Sequence, residues 1–218
     1  MPFDFGFVVR NLPVFLDGLF VTIQLSALAF VLSLLWGLVV VGLRRSDSAP
    51  VRNLAAGYIQ AVRNTPVLVQ MYFIFFGSGM AGYPLSGFVA GLLALTLQNG
   101  GYVAEIYRAG IDSVSRRQTE AGLALGMLRR QAFFIVTLPQ ALRRVVAPIS
   151  NQGVTIIKDT ALVSTISVAE MTQAGRLLAD RTAAVYEVFF TLALLYLLVV
   201  SIFSGTMRLI ERRVRVLA

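Results

Sequence analysis

Two groups of residues have types and spacing that could act on something outside the chain. The first lies in residues 116–139, where Arg116 and Arg117 precede Glu120-Ala121-Gly122, Gly126 follows six residues after the glutamate, Arg129 and Arg130 come next, and Leu138-Pro139 closes the run. In an otherwise apolar chain, a basic amphipathic segment belongs at the cytoplasmic face, where a soluble partner could grip it. Gly126 would allow a tight approach or turn that a side chain blocks, and Glu120 and Arg117, three apart, could pair on a helix. The same segment could also be an interfacial helix that only anchors a loop. The second group is Lys158-Asp159 with Thr160, at the end of an apolar run interrupted by polar residues. Charge at membrane depth is costly and marks a pathway or a pair. A cation beside a carboxylate could meet both ends of a zwitterion such as an amino acid; equally, the two could be a solvated helix flank.

Gln70, Gln98, Asn99, Asn151 and Gln152 are uncharged polar residues inside apolar runs. They can bind a substrate or glue helices together, the commoner role; Gln70, Gln98 and Asn151 are kept as candidate substrate contacts. Glu105 with Arg108, and Asp112 with Arg116, read as helical ion pairs. No second catalytic group accompanies them, so they make no active site. The chain has neither histidine nor cysteine, which removes disulfides, thiolate nucleophiles, imidazole bases and the commonest zinc and haem ligands. No metal site is expected. Lys158 is the only lysine and follows Ile156-Ile157, so it cannot belong to a GxxxxGK[ST] phosphate loop. If ATP is used, another subunit hydrolyses it, and no cofactor is bound directly.

The elements that must carry these residues are apolar. Apolar residues make up 57% of the chain and charged ones 14%, and the mean hydropathy is +0.76, far from the globular norm. The chain is read as an all-α membrane protein of one domain, 1–218, with about five spans at 19–43, 54–76, 88–106, 134–157 and 185–210. A coupling loop at about 112–132 joins the third and fourth. Arg63-Asn64-Thr65-Pro66 either breaks the second span or starts it with Arg63 snorkelling to the surface. The fourth span, with Pro139, Gln140, Pro148, Asn151 and Gln152, is too polar to face lipid and should be enclosed. Residues 158–184 read as a mixed-charge connection. The net charge of +8 would suggest nucleic acid in a soluble protein. Here the arginines gather at the ends of apolar runs, where they set orientation and meet anionic lipid headgroups, and no nucleic acid partner is expected. The loop 44–52, residues 108–130, Arg143-Arg144 and the C-terminal tail are basic, whereas 77–87 is uncharged. That places the N-terminus outside and the C-terminus inside. No removable signal peptide is expected, since residues 1–11 carry little positive charge and show no small-residue cleavage site.

Residues 120–139, EAGLALGMLRRQAFFIVTLP, resemble the loop motif of bacterial ATP-binding-cassette importer permeases: Glu-Ala-Ala, three residues, Gly, nine residues, Ile-x-Leu-Pro. Gly122 stands for the third motif residue and Val136 for the isoleucine. The stretches 18–38, 63–77, 98–118 and 158–166 are similar to the polar amino acid subfamily, of the histidine, glutamine and arginine type. Asn64 departs from a glycine there. The resemblance implies a type I importer permease fold in the bacterial cytoplasmic membrane. It further implies Glu120, Ala121, Gly122, Gly126 and Arg117 as the ATPase-coupling residues, with Lys158, Asp159 and Thr160 among the substrate contacts. The implied partners are ATP-binding-cassette ATPase subunits, a second permease subunit of the same or homologous sequence, and an extracytoplasmic amino acid binding protein. The rival readings are a secondary transporter or channel working alone, which would show internal repeats and an ion site, and a membrane enzyme.

Overall fold

The computed structural model describes residues 3–216, and the side chains of residues 3–213. Every regular element among them is helical: α1 (Phe5–Arg10), α2 (Leu12–Arg44), α3 (Ala49–Asn64), α4 (Val67–Met80), α5 (Gly87–Asp112), α6 (Arg116–Ala124), α7 (Arg129–Gln131), α8 (Leu138–Asp159), α9 (Met171–Thr182) and α10 (Val185–Val216). One π-helical turn, Ala132–Thr137, joins α7 to α8, and a 3₁₀ segment, Thr160–Ile166, continues α8. Three continuous helical stretches are long and apolar enough to cross a membrane: Leu12–Arg44, Arg129–Ile166 and Val185–Arg213.

Helix α2 buries Phe15, Gly18, Thr22, Leu25, Ala29, Ser33, Gly37 and Val40, three or four residues apart, which is one stripe of a helix. Its other faces carry Phe20, Val31, Leu35 and Leu38 outward, as a lipid-facing helix must. The stripe lies against α5, which also packs on α3, α4 and α8. Residues 98–101, which interrupt the apolar run, do not interrupt the helix; α5 continues to Asp112, beyond the expected end at 106. Small residues let its neighbours close in. A methyl group on Gly100 would fall 2.4 Å from Trp36 Cδ1, and one on Gly101 equally close to Val62 Cγ2.

The stretch expected as one span at 54–76 is two helices. Helix α3 begins with Pro50 in its first turn and ends at Asn64, and α4 starts after Pro66, which has no N–H to continue the ladder. The carbonyls left open at the break are met by side chains. Gln70 Nε2 donates to the oxygens of Val62 at 2.9 Å and Thr65 at 3.1 Å, Gln98 Nε2 to that of Thr65 at 3.3 Å, and Tyr102 Oη to that of Arg63 at 3.3 Å. Irregular backbone in an apolar setting needs such partners.

The connection at 158–184 is also ordered. Its 3₁₀ segment buries Val163 and Ile166 in the cluster formed by Leu25, Met71, Leu95 and Ile156. Helix α9 packs Met171 and Leu178 with Phe15, Val188 and Leu192. A methyl group on Gly18 would lie 2.8 Å from Met171 Cα, so α9 is seated directly on α2.

Candidate functional site

Within the expected coupling loop at about 112–132, the motif segment forms only a short helix. Helix α6 ends at Ala124, and Gly126 adopts φ +84°. Its N–H donates to Leu123 O at 3.0 Å and that of Met127 to Gly122 O at 3.1 Å, the paired bonds of a Schellman turn. No atom lies within 4 Å of where a Gly126 side chain would begin. The glycine serves the left-handed turn and not a close approach. The inner face of α6 is fastened to the π-helical turn: Thr119 Oγ1 lies 3.1 Å from Thr137 Oγ1, and Gly122 is buried against Ala132 and Val136. Arg117, Glu120, Ala121 and Ala124 are exposed. Arg117 and Glu120 form no ion pair with each other, and both charges stand free among the described residues.

Asp112 pairs not with Arg116 but with Arg45 at 3.0 Å and Arg108 at 2.9 Å, because the helix stops at residue 112 and the i, i+4 geometry is lost. The expected pair of Glu105 with Arg108 is formed at 2.8 Å, and Arg63 approaches the same carboxylate at 3.9 Å. One chain of charges thus ties α2 and α3 to the end of α5.

Lys158 is exposed, Asp159 half-buried and Thr160 buried, its Oγ1 donating to Ile157 O at 2.7 Å. The side chains of Lys158 and Asp159 make no hydrogen bond or ion pair with each other or with another described residue. Gln70 and Gln98 converge on the Thr65 carbonyl and stabilise the break between α3 and α4. Asn151 is exposed. Buried Asn99 accepts from Gln152 and joins α5 to α8.

Sequence reasoning missed a periodicity. Arg144, Pro148, Asn151, Thr155 and Lys158 are exposed, while Ala141, Val145, Gly153, Ile156 and Ile157 of the same helix are buried. The exposed set falls at i, i+4, i+7, i+11 and i+14, one stripe along a helix long enough to span. The span expected to be enclosed by protein is therefore open along its polar face within one chain. Also missed was Glu170, fully buried at the start of α9. Its carboxylate accepts from Gln173 N at 2.8 Å, Tyr196 Oη at 3.0 Å and Thr22 Oγ1 at 3.5 Å. The signal available was a lone acid in the apolar run 166–171.

Comparison with known proteins places this arrangement. Residues 29–216 match the model of a family described as binding-protein-dependent transport system inner membrane component. The chain is 34% identical to the glutamine transport system permease protein of Escherichia coli K12, with the whole of both chains covered. It is 32% identical to a probable glutamine ABC transporter permease protein of Bacillus subtilis 168, covering 93% of this chain and 94% of that one. Among solved structures, an amino acid ABC transporter crystallised with histidines superposes with a TM-score of 0.93 at 34% identity, covering 98% of this chain and 100% of that one. The MetNI methionine ABC transporter, at 18% identity and a TM-score of 0.79, covers 94% and 98% and shares the fold.

Proposed function

Because this chain belongs to the family of binding-protein-dependent transport system inner membrane components, we propose that it is the permease subunit of an ATP-driven importer whose cargo is polar amino acids. The observation that carries this reading is the polar stripe of α8. Asn151 and Lys158 cannot face hydrocarbon without a desolvation cost, and Arg144, whose guanidinium donates to Ser113 O, extends the same face. The stripe therefore lines a water-filled route or meets a second permease subunit, identical or homologous. The relatives' names, which include glutamine, cystine and glutamate/aspartate transport, support the polar amino acid class. Lys158 and Asp159 at the far end of that stripe are the proposed substrate contacts, with Asn151 two turns earlier on the same face. Thr160, expected among the contacts, is fully buried with its hydroxyl bonded to Ile157 O and supports them from behind. Gln70 and Gln98 shape the route by holding the α3–α4 break.

Helix α6 suits docking to a separate ATPase subunit, which binds and hydrolyses the ATP. Its inner face is fastened and its outer face, with Arg117, Glu120 and Ala121, has no side-chain partner among the described residues. The helical run from Arg129 to Asp159 is about 45 Å long at 1.5 Å per residue. It carries the π-helical turn under α6 and the proposed substrate contacts on one continuous helical stretch, so a displacement of α6 is passed along it. The N-terminus lies outside the cytoplasmic membrane and the C-terminus inside, and an extracytoplasmic binding protein delivers the amino acid.

The test is reconstitution in liposomes with a candidate ATPase subunit and a candidate binding protein from the same organism. Uptake of a polar amino acid that requires internal ATP and the binding protein is expected. Uptake by this chain alone, driven by a proton or sodium gradient, would replace the reading with a secondary transporter.

A further inference from the structure

A cleft of about 710 Å³ lies between the ends of α2 and α5 and one flank of α6, apart from the polar stripe of α8. Three guanidinium groups from separate elements line it: Arg45 just past α2, Arg116 opening α6 and Arg129 opening α7. The one carboxylate in the cleft, Asp112, already has both oxygens engaged, by Arg45 at 3.0 Å and Arg108 at 2.9 Å. Arg116 and Arg129 have no hydrogen bond or ion pair among the described residues. Two unpaired positive charges therefore share a hollow whose walls include the apolar side chains of Leu123 and Phe133.

The position of the cleft narrows the ligand. Arg45 directly follows a 33-residue apolar helix, so the cleft sits where a spanning helix meets the headgroup layer. Paired guanidinium groups match the oxygens of a phosphate, and an apolar wall beside them suits a glycerol backbone and the start of an acyl chain. A free phosphate would use the arginines and leave that wall wetted. We propose that the cleft holds the phosphate of an anionic glycerophospholipid drawn from the adjoining leaflet. Arg116, Thr119 and Leu123 line the cleft at i, i+3 and i+7 of α6, on a different flank from Arg117, Ala121 and Ala124, with Glu120, four residues after Arg116, at the border between the two. A lipid seated there braces α6 against α2 and α5 and leaves its outer face open. That bracing would bear on coupling only if α6 docks an ATPase; the binding claim stands without it.

The test titrates the delipidated, full-length chain in detergent with phosphatidylglycerol and reads bound lipid by native mass spectrometry. The double variant Arg116→Gln/Arg129→Gln is expected to weaken binding on the order of thirtyfold. Arg116→Lys/Arg129→Lys, which keeps both charges without the guanidinium fork, should bind between wild type and the glutamine variant. An unchanged unfolding midpoint of the glutamine variant excludes misfolding as the cause. Arg212→Gln/Arg213→Gln, altering two exposed arginines near the end of α10, should have little effect. An equal loss in that control would reduce the result to diffuse charge attraction and overturn the proposal. So would full displacement of the lipid by millimolar glycerol 3-phosphate, which would make the ligand a soluble anion. Unchanged lipid retention in the Arg116→Gln/Arg129→Gln variant, with lost association of the ATPase subunit, would assign the cleft to a protein partner instead.

Discussion

The phenolic oxygen of Tyr196 on α10 donates a hydrogen bond of 3.0 Å to Glu170 Oε2 at the start of α9. Thr22 of α2 completes the junction: its hydroxyl lies 3.5 Å from the same carboxylate oxygen and accepts from the Met171 N–H at 3.1 Å. Three helices meet on one buried acid, in a connection outside the apolar spans. Truncation to Glu170→Ala strands the Tyr196 and Gln173 donors and should cost about 3 kcal/mol, read as a lowered unfolding midpoint in detergent.

The same residue predicts a pH dependence. Burial is the largest influence on the Glu170 carboxyl and raises its pKa above 4.5, against the hydrogen bonds that lower it. The folded chain then binds this proton more tightly than the unfolded chain does, so the contribution falls as pH rises from 4.5 through the raised value. Wild-type protein should gain stability on acidification across that window relative to Glu170→Gln, which has no proton to bind there. Parallel pH profiles for the two proteins would show that this carboxyl does not titrate differently on folding.

Gly126 and Gly122 should respond in opposite directions. At φ +84°, Gly126→Val forces a β-branched residue into the left-handed region, at a cost of about 1–2 kcal/mol. Gly126→Asn, which tolerates that region, should cost less. A methyl group on Gly122 would meet Met127 Sδ at 3.3 Å and Ala132 Cβ at 3.5 Å, close contacts of which the first is with a flexible side chain. Gly122→Ala should therefore be accepted and raise helix stability by up to about 1 kcal/mol. Co-purification of the ATPase subunit should fall with Gly126→Val and persist with Gly122→Ala. Equal retention by both would remove the turn from the docking argument.

Asp159 is half-buried and has no hydrogen-bonding partner among the described residues, so its carboxylate is available to a substrate ammonium group. Asp159→Asn removes one charge-assisted contact worth roughly 1.5–3 kcal/mol, a weakening of about tenfold to a hundredfold. Uptake in proteoliposomes should drop by that factor while membrane insertion and ATPase association are unchanged. Wild-type kinetics would leave Lys158-Asp159 as a solvated helix flank.

Orientation is open to a direct test. A reporter active only outside the membrane, fused after Gly82 or after Ala183 at the end of α9, should be active, since those connections lack a positive excess. The same reporter after Arg117 or Ala218 should be silent. Activity at the C-terminus would overturn the five-span arrangement with the N-terminus outside.

Composition by itself determined the class of this protein. With 57% apolar residues, in continuous runs long enough to span and with arginines gathered at their ends, the pattern is that of membrane-spanning helices, which satisfy their own backbone. It is not that of the short alternating strands of a barrel. The 120–139 motif was legible because its spacing lies within one local segment, and its glycine anticipates a turn. Tertiary structure decided the contacts that depend on which faces meet. Gln70 and Gln98 converge on the Thr65 carbonyl because Pro66 separates α3 from α4 beside α5. Glu170 is buried because α9, which reads as a polar connection, seats on α2 and α10. The stripe from Arg144 to Lys158 acquired meaning only once the opposite face of α8 was buried against its neighbours. Local spacing fixes which residues share a helix face, whereas long-range packing settles which faces stay open for a partner, a lipid or a substrate.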